Sequence, residues 1–147
     1  MPTPAFLVRL MAYRKLSDRI KTGPEDCECL AFVTELRVAT LEGRLRAVWT
    51  HPANELAGMV RKSPRGGVAV PPQVALARAL GLITGTSDYL FLWDSGALAM
   101  EFKAGSNRLT DGQSDFSEWC ALMGVPFHLV RSAAAGLEVL RNAGRLV

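Results

Sequence analysis

The sequence predicts an α/β domain: a mixed four-stranded sheet flanked by helices, with an extra helix at the N-terminus. Three observations carry this expectation. Segments of helical spacing alternate with segments of strand spacing in the order helix, helix, strand, helix, strand, strand, helix, strand, helix. Two of the strand candidates are joined by a tight turn, and no internal repeat is present. With 147 residues and 49% hydrophobic content, the chain has the length and apolar material for one core rather than two.

In chain order, Ala5 to Lys21 places Phe6, Leu10, Tyr13, Leu16 and Ile20 at helical spacing and stops at Gly23-Pro24, a helix-breaking pair. Residues 1–23 are therefore expected to form a basic leading helix outside the core. Within the first 22 residues, Arg9, Arg14, Lys15, Arg19 and Lys21 are opposed only by Asp18. Such an arm suits either dimer packing or direct contact with a phosphate backbone through Arg9, Arg14 and Lys15. A second helix begins at Pro24, with Thr22 as candidate cap and Glu25, Asp26 and Glu28 in the first turn, where they complement the helix dipole. It should run to about Thr40, with Cys29, Leu30, Val33 and Leu36 inward and Phe32 adding bulk.

Gly43 ends that helix, and Arg44 to His51 alternates as a strand. From Asn54 to Pro72 the chain reads as irregular, with Arg61, Lys62 and Arg65 in a basic loop containing glycine and proline. A short helix is expected over Gln73–Leu80. Strands follow over Ser87–Trp93 and Ala97–Ala104, joined by Asp94-Ser95-Gly96. Thr110 is a candidate cap for a helix over Asp111–Met123, Pro126–Arg131 is a short apolar strand, and Ala133–Ala143 is a last helix ended by Gly144. Trp49, Trp93 and Trp119 fall in periodic apolar patterns and are expected as core anchors.

Composition narrows the function classes. The net charge is +3 and the sequence pI is about 9.0, which is compatible with a polyanionic partner. No apolar run approaches the roughly 20 residues of a membrane span, so a cytoplasmic protein without a membrane partner is expected. Three cysteines, Cys27, Cys29 and Cys120, cannot all pair within one chain and are expected to be reduced. His51 and His128 lack a Ser, Cys or second His at telling spacing and are expected in the core or at its rim.

One constellation carries chemistry. Asp88 stands at the start of one strand, while Glu101 and Lys103 lie two residues apart on the next, on one face of it. Pairing of these strands would gather two carboxylates and an ammonium amid Leu90, Leu92, Met100 and Phe102. Like charges left uncompensated there are costly, and a divalent cation that favours carboxylate oxygens relieves the conflict. By spacing alone, Glu101 and Lys103 read better as an outward strand face making an ordinary surface ion pair, and only the context of the neighbouring segments reverses that reading.

The run Gly85-Thr86-Ser87-Asp88-Tyr89-Leu90-Phe91, then Ala99-Met100-Glu101-Phe102-Lys103, then Arg108-Leu109-Thr110-Asp111-Gly112-Gln113 resembles the virus-type replication-repair nuclease family (VRR-NUC), a branch of the PD-(D/E)xK nucleases. In that family a Gly-x-Pro-Asp strand precedes a Glu-x-Lys strand and a Leu-[Ser/Thr]-x-x-Gln helix start. Glu25 followed by Cys29, Phe32 and Leu36 is similar to the family's opening Glu-x-x-x-Gln helix. His51-Pro52-Ala53-Asn54-Glu55 is similar to its Pro-Asn segment, and Val125 to Ser132 to its last core strand. The resemblance covers about residues 24 to 143. Ser87 stands where the family has Pro, and Cys29 where it has the helical Gln.

The resemblance implies a restriction-endonuclease-like core over residues 24–147 and a metal-dependent deoxyribonuclease. Asp88, Glu101 and the carbonyl of Phe102 would bind Mg²⁺ or Mn²⁺, and Lys103 would orient or help deprotonate the attacking water. Gln113 would support Lys103 or a phosphate oxygen, and Glu25 would be the helical acid, with Glu28 and Glu35 as alternatives. Asn54, Arg61, Lys62, Arg65 and Arg108 would meet DNA. It further implies branched DNA such as a Holliday junction as substrate and a prokaryotic or phage-encoded cytoplasmic setting; because one constellation cuts one strand at a time, paired incisions across a junction would call for a homodimer. The rival readings are an inert nucleic-acid binding module that keeps the fold, and an interaction protein whose charges are surface ions.

Overall fold

The computed structural model describes residues 2–52 and 60–147. Among these, five helices accompany a four-stranded mixed sheet: α1 (Ala5–Met11), α2 (Pro24–Leu41), α3 (Pro72–Ala79), α4 (Asp111–Leu122) and α5 (Ala133–Asn142). The strands are β1 (Val48–Thr50), β2 (Arg61–Lys62), β3 (Val68–Ala69), β4 (Tyr89–Trp93), β5 (Gly96–Phe102) and β6 (Phe127–Val130). The main sheet has the order β1-β4-β5-β6, antiparallel except for the parallel pair β5 and β6. The expected α/β class and mixed four-stranded sheet are those observed.

Strand alternation divides the apolar residues between two layers. Tyr89 and Phe91 of β4, with Leu98, Met100 and Phe102 of β5, turn toward α2 and α5 and form the core with Phe32, Leu36 and Leu140. Phe32 is its hub, with ring centroids 5.1 Å from both Tyr89 and Phe102 and 6.3 Å from Phe91. Truncating such a residue to Ala typically costs about 3–5 kcal/mol. Gly136 lets α5 approach closely, because a Cβ there would lie 2.9 Å from Phe32 and 3.1 Å from Met100 and Phe102. On the opposite face, Phe116 and Cys120 of α4 lie over Leu90, Ala97 and Ala99.

Several expectations are corrected. The leading helix ends at Met11, and Ala12 is already extended with φ −66° and ψ 133°. A helix is stable in water mainly through the face it buries, and no residue of α1 is buried. Beyond it the chain holds to α2 by other means, with Tyr13 under the Arg37 guanidinium at 3.7 Å. Thr22 does not cap α2: Gly23 is the N-cap and contributes no side-chain bond, while Thr22 Oγ1 lies 3.5 Å from Cys27 Sγ. Leu30 is exposed rather than inward, and Trp119 is 52% exposed rather than a core anchor.

The strand expected over Arg44–His51 pairs with β4 only over Val48–Thr50; upstream, Leu45 bridges to Leu146 and Arg46 N–H donates to the Arg145 carbonyl. Part of the basic loop forms a separate small hairpin, with Arg61 opposite Ala69 and Lys62 opposite Val68. Two-residue strands leave no period in a sequence, so alternation could not reveal it.

Candidate active site

The site is built at the end of the central hairpin. Strand β4 begins one residue after Asp88, and β5 ends one residue before Lys103. Pairing of Tyr89 with Met100 brings the two ends together. Backbone and side chain then lock across the pair: Phe102 N–H donates to Asp88 Oδ2 at 2.8 Å, and Asp88 N–H donates to Glu101 Oε2 at 3.2 Å. Each acid is held by a backbone amide beside the other.

Lys103 Nζ lies 3.8 Å from Glu101 Oε1, and these side chains are 11% and 1% exposed. Gln113 Nε2 also donates to Glu101 Oε1. Thr110 explains why Gln113 faces that way. Its side chain accepts from Gln113 N–H at 3.3 Å and its own N–H donates to Gln113 Oε1 at 2.9 Å, a capping box at the start of α4. With the amide oxygen committed to the cap, the amide nitrogen is left for Glu101. The loop before Asp88 fixes where α4 starts. Gly85 has φ +90°, and a Cβ there would overlap the Gly112 carbonyl and lie 2.7 Å from the Gln113 nitrogen.

From the other layer, Glu25 Oε2 accepts from Ala104 N–H at 3.4 Å, which sets it beside the end of β5. The two alternative acids of α2, Glu28 and Glu35, are committed elsewhere. Glu28 Oε2 accepts from Ala133 N–H at 2.7 Å at the start of α5, and Glu35 pairs with Arg44 at 3.0 Å. The structure thus brings Asp88, Glu101, Phe102, Lys103, Gln113 and Glu25 together and leaves Glu28 and Glu35 out. His51, a rim residue, adds a contact that spacing did not reveal: its Nδ1 lies 2.5 Å from the Asp88 carbonyl oxygen. The signal would have been its place just past a strand that pairs with β4, legible only once the pairing is known.

Burial and like charge raise both carboxyls of the cluster. Burial, and then the neighbouring Asp88 charge, push the Glu101 carboxyl up to about 8, with Lys103 opposing. Asp88 is also raised, first by burial and further by Glu25, against the Phe102 N–H and the His51 and Lys103 charges. The nearby Cys29 thiol is pushed up to about 12, chiefly by burial, so it is neutral and a poor ligand.

Among the described residues no group of three His, Cys, Asp or Glu side chains is gathered closely enough to cage an ion. The available donors are two carboxylates and a carbonyl. In an extended strand the N–H and C=O of one residue point to the same edge, and the Phe102 N–H faces Asp88. Its carbonyl therefore lies on that edge too. This all-oxygen, incomplete set fits a small hard cation that retains several waters, such as Mg²⁺ or Mn²⁺.

The cations expected to meet DNA lie elsewhere. Arg9, Arg14 and Lys15 are exposed on the N-terminal arm, Lys62 and Arg65 on the small hairpin, and Arg108 on the loop between β5 and α4. Asn54 and the side chain of Arg61 lie outside the described residues. Arg131 braces the loop that carries Arg108, donating through Nη1 to the carbonyls of Gly105 at 2.7 Å and Asn107 at 2.9 Å.

Set against known proteins, the chain shares its fold with a solved structure. A solved structure described as a VRR_NUC domain protein is similar to it with a TM-score of 0.57 and 18% sequence identity, over 86% of this chain and 93% of that one. No family model matches the sequence, and no curated protein matches it. Among the described residues no helix is long and apolar enough to cross a membrane.

Proposed function

We propose that this chain is a metal-dependent DNA endonuclease that hydrolyses phosphodiester bonds. One observation carries the reading: Asp88 and Glu101, held against each other in a buried corner, share it with the ammonium of Lys103. Paired acids, one buried and one half-buried, with one lysine and an incomplete oxygen donor set suit cation-assisted attack on phosphate.

Asp88, Glu101 and the Phe102 carbonyl would hold Mg²⁺ or Mn²⁺, which supplies Lewis acidity toward the phosphate and the attacking water. The chain's own residues do the rest. Asp88 N–H and Gln113 Nε2 grip the two oxygens of Glu101 and fix its plane. Lys103 offsets negative charge, which is greater in the pentacovalent transition state than in the ground state, and orients the water by hydrogen bonding. Glu25 adds negative charge on the α2 side, where it can orient a coordinated or attacking water. The exposed cations of the N-terminal arm, the small hairpin and the Arg108 loop supply backbone attraction.

The finer reading is branched DNA, such as a four-way junction, cut by a homodimer. One chain carries one such cluster, and paired incisions call for two related by a two-fold axis. The arm offers spare apolar surface for the contact, with Phe6, Leu10 and Tyr13 at 53%, 68% and 57% exposure. The test is incubation of purified protein with junction, flap, single-stranded and duplex DNA in Mg²⁺, Mn²⁺ or EDTA. Cleavage that requires the cation is expected. DNA binding without cleavage under every condition would instead favour an inert binding module.

A further inference from the structure

A cavity of about 420 Å³ opens between α2 and the extended part of the N-terminal arm, and Glu25 and Asp88 are among the residues that line it. Leu16 and Ile20 form its outer wall, and Leu30 and Val33 of α2 its inner one. Trp49 contributes an aromatic ring, half-buried and fixed by its Nε1 bond to Thr40 Oγ1 at 3.1 Å. Lys21 and Arg37 also line the space, and Arg37 anchors the arm through Tyr13. The volume is that of a small-molecule site, and its lining combines apolar side chains with acids and cations.

We propose that this cavity receives one unpaired nucleobase of the DNA strand being cut, next to the scissile phosphate. The inference rests on the nuclease reading, which places that phosphate at Asp88 and Glu101. A base is joined to its phosphate through a single sugar, so a cavity that Asp88 helps to line is within reach of a neighbouring base. Its apolar walls and the Trp49 ring suit the faces of a base, which stack on aromatic and aliphatic surface without regard to sequence. Lys21 and Arg37 provide cationic attraction for the flanking backbone and the ring. A paired base would first have to leave its stack, whereas a bulged or flapped base has little or nothing to break. The cavity therefore selects for interrupted duplex, and the N-terminal arm acts as a specificity element as well as a source of positive charge.

The experiment compares three otherwise identical duplexes: one with a single unpaired 2-aminopurine, one with a reduced abasic residue in its place, and one fully paired. Cleavage is followed in Mg²⁺, and 2-aminopurine fluorescence in Ca²⁺, for the parent chain, Leu16→Ala/Ile20→Ala and Leu30→Trp. The first variant removes the outer wall and the second fills the cavity. Leu16, Ile20 and Leu30 are 44%, 57% and 39% exposed, so the variants should fold, which circular dichroism checks. The parent should cut beside the unpaired base about tenfold or more faster than beside the abasic residue, with the fluorescence quenched. Both variants should lose most of that ratio and of the quenching. Equal rates and no quenching in the parent, or an unchanged ratio in both variants, would overturn the proposal. Cleavage without dependence on the base removes the cavity's role and leaves the nuclease reading standing. Quenching that the variants abolish, with no DNA cut, does the reverse. Neither quenching nor cleavage rejects both.

Discussion

Replacing Glu101 by glutamine should stabilise the metal-free protein at alkaline pH while abolishing cleavage. Glu101 is 1% exposed, and burial with the adjacent Asp88 raises its carboxyl from 4.5 to about 8 in the folded chain. An acid whose folded value lies above its unfolded value binds the proton more tightly when folded. Its contribution is complete below about pH 4.5 and is lost as pH rises through about 8. Each unit corresponds to about 1.4 kcal/mol, so the loss by pH 9 is on the order of a few kcal/mol, a substantial part of a domain's roughly 5–15 kcal/mol.

A glutamine side chain at this position cannot ionise and escapes that loss. It brings a cost of its own, because Glu101 accepts from both Asp88 N–H and Gln113 Nε2, and an amide nitrogen cannot accept from either. One mismatched buried donor costs about 1–3 kcal/mol. The Glu101→Gln variant should thus be less stable than the parent near pH 5.5 and more stable near pH 9, with the curves crossing between. Urea denaturation in EDTA across that range measures this directly. Saturating Mg²⁺ at pH 9 should then restore the parent, by about 2.7 kcal/mol at a hundredfold excess over its dissociation constant, and leave the variant unmoved. Parallel stability curves for the two proteins from pH 5.5 to 9 would refute the account of Glu101 as a buried, cation-seeking acid.

Asp88→Asn and Lys103→Ala should each lower Mg²⁺-dependent cleavage by at least a hundredfold while DNA binding stays within a few-fold, as gel shift beside single-turnover kinetics can show. Substantial activity in both folded variants would remove the site assignment. Glu25→Gln should cost more activity than Glu35→Gln, since Glu25 sits at the end of β5 whereas Glu35 pairs with Arg44; the reverse order would mean that another acid serves the cation. Gly85→Ala should lower stability by about 1–3 kcal/mol or more, because the added Cβ would collide with the backbone of Gly112 and Gln113, and thermal melting would register it. Deleting residues 1–22 should weaken self-association and junction cutting together. A parent mass of 15.9 kDa by sedimentation at micromolar concentration, without paired incisions, would reject the dimeric reading alone.

Much of the fold follows from local sequence. Pro24 with acids in the next turn starts α2, Thr110 with Gln113 caps α4, and Asp94-Ser95 turns the chain between two runs of β-forming residues. These signals act within a few residues, so they survive in a linear reading. So does the grouping of Asp88, Glu101 and Lys103, because a tight hairpin joins strands whose register the turn sets. Tertiary structure decided what depends on contacts between distant segments. Glu25, Glu28 and Glu35 are close to equivalent in sequence, and their roles separate only because Ala104, Ala133 and Arg44 lie opposite them in the packed chain. The leading segment has a helical stripe from end to end, yet it stays helical only to Met11, since nothing buries that stripe, and its remainder becomes a wall beside the acids. Periodicity reports which face could be buried; whether a neighbour arrives to bury it is settled by the rest of the fold.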